Sequence, residues 1–147
     1  MRLHMCYPEA ADEMEILRTA QTRYDAIELN PVVTQADVQQ LQASASEVFV
    51  EDSVLDYILK LVTATRTETE FKAGISVRGG LALRVAAQAR ALVMGRDFVL
   101  PDDVVALVAP VFAHRLGLAR PAGDALDERR AVTGLLKRIV GAIALPV

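Results

Sequence analysis

Apolar residues at Val132, Leu135, Leu136, Ile139, Val140 and Ile143 fall at i, i+3, i+4, i+7, i+8 and i+11 without a miss. That period lines one face of an α-helix and suits no strand. A helix with one apolar stripe must bury it against other elements, so the rest of the chain has to supply partners. The partners read as helices too. Pro8 suits a first helical position, and Glu9, Asp12, Glu13 and Glu15 place negative charge where the helix dipole favours it. Met14, Ile16 and Leu17 give that helix an apolar side to about Thr22. Thr34 and Asp37 resemble a capping box for a helix with Val38, Leu41 and Ala45 on one face. Glu51-Asp52 opens a helix lined by Val54, Leu55, Ile58, Leu59, Leu61, Val62 and Thr65. Leu100-Pro101 marks a boundary, and Asp102 and Asp103 favour the start of the helix carrying Val104, Val105, Leu107 and Val108. Pro110 should kink or restart it before His114-Arg115.

The connections are short: residues 23–33, 67–73 and 117–126. Two pieces, Glu47-Val48-Phe49-Val50 and Arg96-Asp97-Phe98-Val99, read as extended and able to pair as a minimal patch. About six amphipathic helices predict an all-α helical bundle with one or two very short extended segments. Residues 2–7 also read as extended. They fit a frayed tail, or the last strand of a sheet whose other strands lie upstream, since a bare strand is not stable alone.

The stretch Gly74-Ile75-Ser76-Val77-Arg78-Gly79-Gly80 carries the chemistry. Ser76 is a good N-cap, and Gly95 suits the position after the helix end. Leu81, Ala82, Val85, Ala86, Ala89, Leu92 and Val93 recur at helical spacing and predict a helix that ends near Gly95. Arg78 falls in the first turn, where backbone N–H groups are unpaired and the dipole is positive. A cation there is misplaced by about 0.3–1 kcal/mol unless an anion joins it. Helix N-termini and guanidinium forks both favour phosphate or carboxylate. The other reading is that Arg78 pairs with a nearby acid or reaches water. Gly79 and Gly80 cost about 0.8–1 kcal/mol each as helix residues and would let another surface approach closely.

Composition narrows the classes. Aliphatic residues and Ala dominate 147 residues with no Trp, and 52% are apolar and 24% charged, as in globular domains. No apolar run approaches the roughly 20 residues that span a membrane. The first residues lack the features of a signal peptide, and the single Cys6 allows no internal disulfide. Cys6 reads as a packed thiol, and a cytoplasmic location is the expectation. A net charge of −3 argues against general nucleic-acid binding. The charge is uneven. Residues 1–73 carry 6 basic and 13 acidic side chains, and residues 74–147 carry 10 and 6. Ordinary surface variation explains that, or the second half faces something anionic.

No phosphate-binding G-x-x-x-x-G-K-[ST] loop, G-x-S-x-G elbow or H-E-x-x-H occurs. His4 and His114 are too few for an obvious metal site, so no metal ligands are assigned. His114-Arg115 reads as a dipole-compatible helix end, and Asp102-Asp103 as helix-start charge. Nothing here would hydrolyse a substrate by itself.

The order of several pieces resembles one family. Tyr7-Pro8 with Glu15-Ile16-Leu17, then Asp56-Tyr57-Ile58, Leu61-Val62 and Ala64-Thr65-Arg66, then residues 74–78, then residues 95–104, then His114-Arg115-Leu116, is similar to the C-terminal third of a MoxR-type AAA+ ATPase. The resemblance covers residues 2 to about 116, and more loosely the closing helix. It implies that residues 1–7 are the tail of the ATPase core and residues 8–147 its helical lid, with ATP held between them. Arg78 would be the sensor-two arginine that reaches the γ-phosphate, beside its cap Ser76. Tyr7 and Pro8 would form the hinge near the adenine. The parent would hydrolyse ATP with Mg, whose ligands lie outside this chain, in a hexameric ring. Its partners would be its own upstream core, neighbouring subunits and a von Willebrand-type protein, with remodelling or maturation of other proteins as the output. A free-standing helical adaptor domain is the alternative. The family commonly has Gly-Ala-Ser-Pro-Arg-Ala where this chain has Gly-Ile-Ser-Val-Arg-Gly. Val77 in place of Pro is expected to loosen the cap, and Gly79 in place of Ala to weaken the first turn.

Overall fold

The computed structural model describes residue 1, residues 7–19 and residues 30–146. The extended reading of residues 2–6, His4 and Cys6 lie outside the described residues. The order is α1 (Ala10–Thr19), α2 (Gln35–Glu47), α3 (Asp52–Thr67), α4 (Val77–Val93), α5 (Pro101–Phe112), a 3₁₀ turn (Ala113–Arg115) and α6 (Ala125–Ala142). The protein is all-α, and among the described residues extended backbone forms two isolated bridges, Phe49 with Phe98 and Phe71 with Leu118. The first is the expected patch: Phe49 N–H donates to Asp97 O at 2.8 Å and Val99 N–H to Phe49 O at 3.0 Å.

Helix α4 is central and packs against α2, α3 and α5, while α6 closes the other side on α3 and α5. Tyr57, Leu61, Ile75, Leu83, Val104, Val111, Phe112 and Leu136 are among the fully buried side chains of the core. The α6 stripe is buried as its period predicts, through Val132, Leu135, Leu136 and Ile139.

Burial departs from the apolar spacing in three places. In α4 the apolar residues at helical spacing divide: Leu81, Val85 and Val93 are exposed, while Ala82, Ala86 and Leu92 are partly buried against the core. The buried stripe is Gly79, Gly80, Leu83, Ala87, Gln88 and Ala91. Small residues lie inside because neighbouring helices come close. A Cβ at Gly80 would already stand 3.2 Å from Val62 Cγ2 on α3. In α3, Tyr57 is buried and Leu59 is exposed. In α1 and α2 no residue is buried, so Met14, Ile16, Leu17, Val38 and Leu41 keep their apolar sides open.

Boundaries shift for local reasons. Helix α1 begins at Ala10, two residues beyond Pro8. Helix α5 passes through Pro110 to Phe112 and then tightens into the 3₁₀ turn. Pro110 falls in the last turn, where only the Ala106 carbonyl loses its N–H partner. Helix α6 starts at Ala125 because Asp124 caps it, accepting from Leu126 and Asp127 N–H at 2.8 and 2.9 Å. Gly123, with φ of 83°, turns the chain into that cap. The connection 67–73 reads as polar, yet it buries Phe71, which pairs with Leu118.

Candidate functional site: the first turn of helix 4

Ser76 caps α4 as its sequence position requires. Its backbone is extended (φ −73°, ψ 164°), and its hydroxyl accepts from Gly79 N–H at 3.4 Å. Its carbonyl accepts from Gly79 and Gly80 N–H at 2.9 and 3.2 Å. Arg78 is the second residue of the helix, and no acid lies in that turn. The side chain is exposed and takes no ion pair or hydrogen bond among the described residues. Of the two readings of Arg78, pairing with a nearby acid is therefore absent from the described residues. A solvated guanidinium at a positive helix end remains, which is an arrangement complementary to an anion.

Val77 leaves the cap in place, since the extended Ser76 backbone needs no Pro after it. Gly79 fits its surroundings rather than weakening them. A Cβ there would stand 2.5 Å from Ile75 Cγ2. Ile75 is 1% exposed and fills that space itself. The same Cβ would stand 3.8 Å from Arg115 Cδ, so the Arg115 stem crosses this turn while its Nε donates to Val111 O at 3.1 Å. Arg115 thus lies nearer the site than a mere helix-end charge. Only the packed structure shows this, because 36 residues of chain separate it from Gly79.

The loop before the cap is tied to the end of α3. Thr65 Oγ1 accepts from Ile75 N–H at 3.0 Å and donates to Val62 O at 2.7 Å. Arg66 Nε donates to Ile75 O at 2.9 Å. Reading the sequence alone assigns Thr65 to an apolar face and gives Arg66 no role.

Tyr7 is 98% exposed and Pro8 is exposed, so neither is packed onto the bundle. Asp102 is exposed, as a helix-start charge should be. Asp103 is different: it is 2% exposed and forms a two-point pair with Arg96, both contacts 2.8 Å. It also accepts from Leu100 N–H at 2.9 Å and lies 3.2 Å from Arg90 Nε. Burial pushes its carboxyl up, but the Arg96 fork, the Leu100 N–H and the Arg96 and Arg90 charges outweigh that and hold it below the usual range. This cluster locks the turn between α4 and α5. Among the described residues, no group of three His, Cys, Asp or Glu side chains is placed to hold a metal ion. No helix among them is long and apolar enough to cross a membrane.

Known proteins are similar to this chain in sequence and fold. Residues 63–134, from α3 into α6, match the family described as AAA lid domain. YeaC of Bacillus subtilis (strain 168), an uncharacterised protein, is 34% identical over 146 residues. Chaperone MoxR1 of Mycobacterium tuberculosis is 31% identical over 155 residues. Each alignment covers 99% of this chain, which spans 45% of YeaC and 40% of MoxR1. Protein MoxR of Paracoccus denitrificans is 50% identical over 48 residues, 33% of this chain and 14% of that protein. A crystal structure from Cytophaga hutchinsonii, described as a candidate ATPase, superposes with a TM-score of 0.76 at 24% identity. It covers 99% of this chain and 46% of its own, and at that identity it speaks for the fold alone.

The fold and the matched stretch define an AAA lid domain. Within that class, the chain belongs to the MoxR family of AAA+ ATPases as a C-terminal lid region.

Proposed function

We propose that this chain is the lid of a MoxR-like ATPase and that Arg78 senses ATP as its sensor-two arginine. One observation carries the reading. Arg78 projects from a capped helix N-terminus with no acid to neutralise it. A γ-phosphate held by the ATPase core would meet both the guanidinium and the positive helix end. Its charge would bias the lid toward closure and be stabilised during transfer. Ser76 fixes the turn, and Tyr7 and Pro8 form the hinge toward the adenine. ATP fits the donors present here. Mg would be held by acids of the core, and the bound metal would neutralise charge on the β- and γ-phosphates. In this reading the lid works beside neighbouring subunits of a hexameric ring, in the cytoplasm. A von Willebrand-type protein is the associated partner, and hydrolysis drives remodelling or maturation of clients.

A second reading, a free-standing adaptor, draws on the exposed apolar stripe of Val77, Leu81, Val85 and Val93 on α4. Arg78→Ala separates the two. In the ATPase assembled with this chain as its lid, the variant should keep its melting temperature and lose at least about tenfold in kcat. Unchanged hydrolysis removes Arg78 from the mechanism and favours the adaptor.

A further inference from the structure

We propose that Thr65 and Arg66 are positioning residues that aim Arg78. From the last turn of α3 they hold both backbone groups of Ile75, three residues before the arginine. The proposal rests on the reading of Arg78 as the phosphate-facing group.

Two hydrogen bonds converge on one residue. Thr65 Oγ1 takes the Ile75 N–H at 3.0 Å, and Arg66 Nε reaches the Ile75 carbonyl at 2.9 Å. Thr65 is 1% exposed, so its bond is sheltered from water, and its loss would strand a buried N–H. The Thr65 hydroxyl is itself aimed by its bond to Val62 O at 2.7 Å. The Arg66 stem lies against Gly74. A Cβ there would stand 2.5 Å from Arg66 Cα and 2.6 Å from Cγ, so only glycine lets the loop lie this close. The Ile75 side chain is buried and lies under Gly79. Ile75 is therefore fixed at its N–H, its carbonyl and its side chain. Ser76 and Arg78 follow directly, so α4 cannot slide or turn about its axis without breaking the clamp. Leu83, Ala87 and Ala91 are buried further along α4, away from the clamp. The clamp sets the register of the first turn, and the core holds the helix.

The test is kinetic and uses the ATPase assembled with this chain as its lid. Thr65→Val keeps the shape and removes the hydroxyl, whereas Thr65→Ser keeps the hydroxyl. Arg66→Met keeps the stem over Gly74 and removes the donor. Arg66 is exposed, so this variant serves even where Thr65→Val fails to fold. Thr65→Val and Arg66→Met should each lower kcat about tenfold, with KM for ATP changed less than about twofold. Thr65→Ser should recover most of the rate. On an Arg78→Ala background neither substitution should cause further loss, because no guanidinium is left to misplace. If Arg78→Ala is slow while Thr65→Val and Arg66→Met run at the wild-type rate, the clamp is overturned and the sensor reading stands. If Arg78→Ala itself runs at the wild-type rate, both fall. Additive losses on the Arg78→Ala background would assign Thr65 and Arg66 to stability alone and overturn the proposal.

Discussion

Ile75 and Gly79 show how one residue licenses another. A methyl at position 79 would improve helix propensity by about 1 kcal/mol in isolation. Here it would meet Ile75 Cγ2 at 2.5 Å, inside a buried and β-branched side chain that cannot swing away. Gly79→Ala should therefore destabilise the chain by about 1–2 kcal/mol, overpacking outweighing propensity. Ile75→Ala alone opens a cavity and should cost about 2–4 kcal/mol. The double variant should cost less than the two losses added, by about 1 kcal/mol or more, measured by urea unfolding. Strict additivity would mean that the two side chains do not share the space. The sequence alone shows a cap, a first-turn arginine and two glycines, and these are where it places them. It cannot show that the glycine is matched to the isoleucine four residues earlier, because that depends on how the loop approaches the turn.

Helix α4 explains what was legible in the elements and what was not. Its limits follow from local chemistry: Ser76 caps it, and Gly95, with φ of 72°, ends it. Its inward face does not follow, because the helix is apolar nearly all round. Reading bulk as burial selects Leu81 and Val85, whereas close packing on α3 selects Gly80, Leu83 and Ala87. Helix α6 has one stripe and no such ambiguity, so its face was readable. The turn from α4 to α5 is held by Asp103 with Arg96, and Asp103→Ala should destabilise the chain by about 2 kcal/mol. The carboxyl titrates lower in the folded chain than its ordinary 3.8. The folded state thus gains stability that is complete above the unfolded value. That gain is lost as the pH falls through the lower folded value. Urea midpoints for the wild type should drop below about pH 4 more steeply than for Asp103→Ala. Parallel pH profiles would remove the carboxylate from the stability of this turn.

At the scale of the whole molecule, the acidic first half and basic second half place Arg78 at the start of the positive part. The order of short motifs pointed to a MoxR-type lid, and the comparisons agree on that family. What the chain touches beyond itself was not legible, since in the proposed reading it offers only one side of a nucleotide site. Alone, one arginine and a helix end should bind ATP too weakly for calorimetry at micromolar concentrations. Tight binding by the isolated chain would place the nucleotide site within the lid itself. The most direct test is a structure of the ATPase, with this chain as its lid, bound to a non-hydrolysable ATP analogue. The Arg78 guanidinium should lie about 2.7–3.2 Å from a γ-phosphate oxygen. A guanidinium turned into solvent, with the phosphate neutralised by other groups, would contradict the account.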